Sequence, residues 1–173
     1  VDLINEVPAE QIQNLDNNNA VKGLTMAQLR DVFAGKIKNW KEVGGADRPI
    51  VVVGRDSSSG TFESWQELVM GKTRVSPRAQ LQSSSGGVVQ AVASNENAIG
   101  YIGIGYMDKQ TKPLEIDGKV ASMASAKDRS WPIARDLYLF TVTESADAKK
   151  LLDYALSAEG QKFVEKSGFV PVN

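Results

Sequence analysis

Apolar and polar positions along this chain alternate in short, distinct blocks. "PIVVVG", residues 49–54, is an unbroken apolar run, the pattern of a short strand buried on both faces. It passes directly into the polar "RDSSSG" and then into "TFESWQELVM", where Phe62, Trp65, Leu68 and Val69 recur at helical spacing and Gly71 marks the stop. Upstream, Thr25 and Gln28 form a capping box before Leu29, Val32 and Phe33, with Gly35 as the stop. "KNWKEVGG" reads as a turn, and residues 72–87 as a polar connection ending in serines and Gly86-Gly87.

Downstream, "VVQAVASN" predicts a short helix, and "AIGYIGIGYM" a glycine-rich strand with close backbone packing. "PLEIDGKV" predicts a strand and turn, "SAKDRS" a charged loop, and "WPIARDLYLFTV" a strand. Residues 144–156 and 158–167 predict two helices broken near Ser157. In the acidic arm of residues 1–20, Val1, Leu3 and Ile4 open a short strand. Pro8 then sits in the first turn of a helix carrying Ile12 and Leu15, followed by a "DNNN" loop. Strands alternating with helices predict an α/β fold. Trp40, Trp65 and Trp131 are expected as core or interface anchors.

Composition narrows the chemistry. The 173 residues suffice for one domain or two small lobes. Twenty basic and 21 acidic side chains leave a net charge of −1, without the basic excess of a nucleic-acid surface. With neither cysteine nor histidine, the chain has no disulfide, thiolate or imidazole base, and only a carboxylate metal site would survive. No cofactor is expected. No apolar run reaches the roughly 18 residues of a membrane span, and no signal-peptide pattern opens the chain.

The loop after "IVVVG" therefore becomes the candidate site. In open α/β sheets, ligands bind outside the carboxyl ends of strands, and a helix start offers unpaired N–H groups to an anion. Gly60 lets backbone come close; Ser59 and Thr61 add hydroxyls; Arg55 adds a planar cation that grips two oxygens at once. Helix capping accounts for the hydroxyls without any ligand, but not for the arginine beside them. A hydrolase reading, with Ser58 or Ser59 as nucleophile, lacks an activating base, so no enzyme activity is expected. "MGKT" at 70–73 lacks the earlier glycine of a phosphate-cradling loop, since Gln66 stands there. The glycines of "GYIGIG" are wrongly spaced for a dinucleotide fingerprint. "SSSGG" at 83–87 also precedes a helix, and a plain N-cap is its expected role.

Five blocks in one order carry a resemblance: "GLTMAQLRDVFAGKIKNWKEVGG", "PIVVVGRDSSSGTFESW", "GGVVQAVASNENAIGYIGIGY", "WPIARDLYLFT" and "LSAEGQKFVEKSGFVPV". Over roughly residues 20–173 the chain resembles the phosphate-binding protein of phosphate ABC transporters, a type II periplasmic solute-binding family. The family motif of arginine, three variable residues and Ser-Gly-Thr falls on Arg55, Ser59, Gly60 and Thr61. The resemblance implies a periplasmic-binding-protein-like lobe with a mixed sheet flanked by helices, plus a C-terminal return segment. It implies that Arg55, the Ser59 and Thr61 hydroxyls and the Gly60 and Thr61 amides hold inorganic phosphate. Asp56 would orient the arginine or stand as a solvated loop acid. It further implies a periplasmic or cell-surface location and the membrane permease of an ABC transporter as partner.

Family members clamp the anion between two lobes, and the first lobe's glycine- and serine-rich loop and carboxylate have no counterpart here. The expected organisation is an unmatched arm over residues 1–21, an anion-binding lobe over 22–130 and a return segment over 131–173. A homodimer covering the missing lobe is one expectation. A ligand-free interaction or sensor module, or a binder of sulfate, are the alternatives.

Overall fold

The computed structural model describes residues 3–16, 19–142 and 145–172. Among them are eight strands and six α-helices. The "IVVVG" run forms β3 (Val51–Arg55), whose three central residues are buried, as a strand covered on both faces requires. It pairs in parallel with β4 (Gln80–Gln82) on one side and β5 (Ala98–Gly103) on the other. Beyond β5 the sheet continues antiparallel through β1 (Leu3–Asp16), β2 (Gly23–Leu24) lying apart, and then β6 (Thr111–Pro113). β2 pairs separately with β7 (Glu115–Ile116).

β1 links two regions. Its second half opposes β5, with Gln11 across from Gly103 and Leu15 across from Ile99. Its first half runs antiparallel to β8 (Ala134–Phe140), from Leu3 opposite Phe140 to Glu10 opposite Ala134. The helix expected from Pro8 through Leu15 is therefore replaced by strand. Partner strands along both halves draw this backbone into a ladder, and long-range pairing outweighs the local spacing of Ile12 and Leu15.

Helices cover the sheet. In α1 (Met26–Phe33), Thr25 Oγ1 accepts from the Gln28 amide at 3.1 Å and Gln28 Oε1 accepts from the Thr25 amide at 2.9 Å, the reciprocal box read from sequence. Gly35 follows with φ +73°, a conformation that favours glycine. α2 (Gly60–Trp65) runs on into a π-helical turn, Gln66–Met70. α3 (Ser85–Ala93) buries Val88, Val89 and Val92. Two expectations are corrected here. The polar stretch 72–87 contains β4, whose pairing is made by backbone. The charged stretch 125–130 begins inside α4 (Met123–Lys127), capped by Ser122. "KNWKEVGG" closes through a short 3-10 turn, Trp40–Val43.

The core lies within residues 21–133. At its centre Trp65 stacks on Tyr101 with ring centroids 4.2 Å apart and planes 4° from parallel, and Phe33 tilts onto Trp65 at 4.5 Å. Trp40 and Trp131 are buried as well. The return segment, β8 with α5 (Ala146–Leu156) and α6 (Ala158–Lys166), encloses much less. Leu152 and Val170 are buried, while Tyr138, Leu139, Phe140, Leu151, Tyr154 and Phe163 are exposed. A close glycine contact fastens it: a Cβ on Gly105 would lie 2.4 Å from the Gly168 Cα.

Candidate anion site

The site grows from the end of β3. The Arg55 amide donates to the Tyr101 hydroxyl at 3.2 Å, fixing where the strand stops. Burial pushes the Tyr101 phenol up to about 12, against the opposing pull of this hydrogen bond and the Arg55 charge. The Arg55 guanidinium then turns toward residues 82–85. Its Nε donates to the Gln82 carbonyl at 3.2 Å, Nη1 to Ser85 Oγ at 3.1 Å and Nη2 to the Ser83 carbonyl at 3.1 Å. A guanidinium has five N–H donors, so this bracing leaves two for a ligand. Because the head group is already held, little rotamer freedom remains to be lost when an anion arrives.

The loop that follows is closed by its own polar atoms. The Ser59 amide donates to the Asp56 carbonyl at 3.2 Å. Buried Ser59 then caps α2, its Oγ accepting from the Phe62 amide at 3.4 Å. Gly60 opens the helix, at a position where an α-helix supplies no acceptor for the amide, and Ser64 Oγ returns to the Gly60 carbonyl at 2.9 Å. Thr61 is half-buried in the same turn. The sequence-predicted residues thus fall on one strand–loop–helix unit.

Asp56 is engaged within its own loop. Its exposed carboxylate accepts from the Ser58 amide at 3.0 Å and from the Ser58 hydroxyl, and these bonds hold it below the usual carboxylate range. It makes no hydrogen bond or ion pair with Arg55, so the orienting role falls to Gln82, Ser83 and Ser85. The second serine loop is accordingly more than a cap. Ser84 caps α3, its Oγ accepting from the Gly87 amide at 3.0 Å, while buried Ser85 receives the arginine.

Sequence reasoning missed one cation. Arg135, in β8, sits against Gly60: a Cβ on Gly60 would lie 3.0 Å from Arg135 Nη2. The absent side chain at Gly60 therefore leaves room for the guanidinium. No signal within "WPIARDLYLFT" marks this arginine, because its approach depends on β1 joining β8 to the rest of the sheet. Among the described residues no group of three or more carboxylates could hold a metal ion, and no helix is long and apolar enough to cross a membrane.

Comparison with known proteins agrees with this architecture. Residues 11–159 match the family model described as a PBP superfamily domain. The phosphate-binding protein PstS of Bacillus subtilis is 34% identical over 155 residues, covering 88% of this chain and 51% of the relative. The chain spans little more than half the length of such curated relatives. Among solved structures, an ABC-type phosphate transport receptor from Vibrio cholerae superposes with a TM-score of 0.87 at 27% identity, over 95% of this chain and 70% of its own. A Clostridium perfringens protein, assigned as the substrate-binding protein of a phosphate ABC transporter and crystallised with bound phosphate, gives 0.85 at 35% identity. That match covers 96% of this chain and 70% of the other. The chain therefore belongs to the PBP superfamily, within the family of phosphate-binding proteins of phosphate ABC transporters.

Proposed function

We propose that this chain holds inorganic phosphate at the start of α2, as a transport solute-binding protein does, with no bond broken. The observation that carries the reading is the Arg55 guanidinium. It is fixed by three hydrogen bonds, has donors to spare, and stands at the head of a loop that ends in Ser59, Gly60 and Thr61. Charge-assisted bonds from Arg55, hydroxyls from Ser59 and Thr61 and backbone amides of Gly60 and Thr61 suit a tetrahedral oxyanion. The absence of histidine and cysteine leaves the serines unactivated, which supports binding over hydrolysis.

The proposed division of labour follows the expected boundaries. Residues 22–130 carry the anion-binding lobe, 131–173 the return segment, and 1–21 the arm that joins them. Kinship with transport proteins supports a periplasmic or cell-surface setting and an ABC permease as partner; the balanced charge argues against a nucleic-acid partner. The exposed apolar residues of β8, α5 and α6 form a face that a second copy would cover. Light scattering at high concentration is expected to give the mass of two chains; a single-chain mass would rule that pairing out.

Calorimetric titration of exhaustively dialysed chain tests the binding itself. Saturable heat with phosphate and weaker or no heat with sulfate is the expected result. Equal heats would make the site a general oxyanion binder. No heat with either anion, from folded protein, would leave an interaction module of the same fold.

A further inference from the structure

The return segment delivers a cation to a loop built by the other region. Arg135 follows Ala134 at the start of β8 and is paired with Ala9 of β1, a register that carries its Nη2 to Gly60. Successive strand residues point to opposite faces, so the neighbouring Asp136 is directed away, and it pairs with Arg129 at 3.0 Å. The nearly buried Asp136 carboxylate is thus committed elsewhere. Among the described residues, no hydrogen bond or ion pair engages the Arg135 guanidinium. The carboxylate within the loop, Asp56, is engaged by Ser58. Arg55 and Arg135 therefore flank the four-residue loop 56–59, one at its head and one at its end.

A half-buried, unneutralised guanidinium against a glycine is unfavourable without an anion, and the other cation at this site is braced rather than neutralised. We propose that Arg135 is a second anion-contacting residue, which grips the oxyanion held by Arg55, Ser59, Gly60 and Thr61 and thereby clamps the return strand to the anion-binding lobe. The inference rests on the phosphate reading above. At Gly60, which has no positive φ, a side chain would press on the end of the Arg135 guanidinium rather than strain the backbone. It also makes the site a joint product of two regions far apart in sequence.

The test is phosphate titration of the whole chain and of three variants. Arg135→Gln is expected to weaken phosphate binding by roughly 10- to 100-fold, the worth of a hydrogen bond to a charged group. Arg135→Lys should fall between, since it keeps the charge but not the planar fork. Arg129→Gln removes an equal charge nearby and should change the Kd by less than about twofold, a rim charge screened by solvent. Urea midpoints without phosphate, measured alongside, separate lost contact from lost fold. Binding of Arg135→Gln or Arg135→Lys at the unsubstituted affinity overturns the proposal, as does an equal loss in Arg129→Gln. If the unsubstituted chain shows no saturable binding, the phosphate reading itself fails and takes this inference with it.

Discussion

β3 and β8 are both short strands rich in apolar residues, yet they meet different surroundings. In β3, "VVVGR", the central residues are buried between α-helical layers and two parallel neighbours. In β8, "ARDLYLF", the first four residues are half-buried and the last three, Tyr138, Leu139 and Phe140, are exposed. The same contrast holds for the regions around them. Residues 21–133 enclose a core with three tryptophans, whereas β8, α5 and α6 carry the residues of a core without enclosing one. One region is stable by its own packing. The other is held by β1, by the Gly105–Gly168 contact and, on the proposal above, by an anion bridging Arg135 to the loop. On that proposal stability and binding are divided unequally: the first region builds the cradle, and the second closes on it.

That division can be broken most forcefully at Trp65. Its replacement by alanine removes the ring stacked on Tyr101 and should cost about 3–5 kcal/mol in urea unfolding. A loss under about 1 kcal/mol would mean that the first region does not hold the core. Arg55→Ala comes next: phosphate affinity should fall by at least about tenfold, since a bond to a charged group contributes roughly 1.5–3 kcal/mol, while the far-UV spectrum stays unchanged. Unchanged affinity would remove Arg55 from the site.

Gly105→Ala addresses the fastening of the second region. Its Cβ would collide with the Gly168 backbone, so a loss of about 1–3 kcal/mol is expected, with faster proteolysis of α6 than of α3. Equal proteolysis of the two helices would contradict separate fastening. A pH series sharpens the first region's side. The Tyr101 phenol is raised from 10.0 to about 12 in the folded chain, so its contribution is complete below pH 10 and is lost as pH rises from there to about 12. A flat unfolding midpoint across that interval, in a comparison with Tyr101→Phe, would show that the phenol is not held there. The smallest effect belongs to the second region's surface: Phe163→Ser, at an exposed position, should change stability by no more than about 0.5 kcal/mol in chain dilute enough to be monomeric. At the higher concentrations where a second copy covers this face, a larger loss is expected; an equally small change there would count against the pairing.

How far the sequence reveals the molecule follows from range. α1 was legible because its cap is reciprocal within four residues, and β3 because its apolar run is continuous. The Arg55–Thr61 unit was legible because strand, loop and helix start are contiguous. β4 was not, because its three residues are recruited by backbone pairing with β3 and leave no apolar signature. β1 was misread because Ile12 and Leu15 stand at helical spacing, while the partners that make the segment a strand lie 84 (Leu15 to Ile99) to 128 (Pro8 to Asp136) positions away. Arg135 escaped for the same reason: nothing local connects it to Gly60, and the approach exists only once β1 has joined the two regions. Adjacency to Arg55 leaves two roles open for Asp56 in the sequence, and only the folded loop shows its carboxylate accepting from the Ser58 amide and hydroxyl.

Hydrogen exchange of the intact chain, with and without saturating phosphate, tests the central claim most directly. Slower exchange is expected at the amides of residues 59–62 and along β8 near Arg135, with α5 and α6 unaffected. Unchanged exchange at residues 59–62, or slowing confined to α5 and α6, would contradict it and place the anion elsewhere.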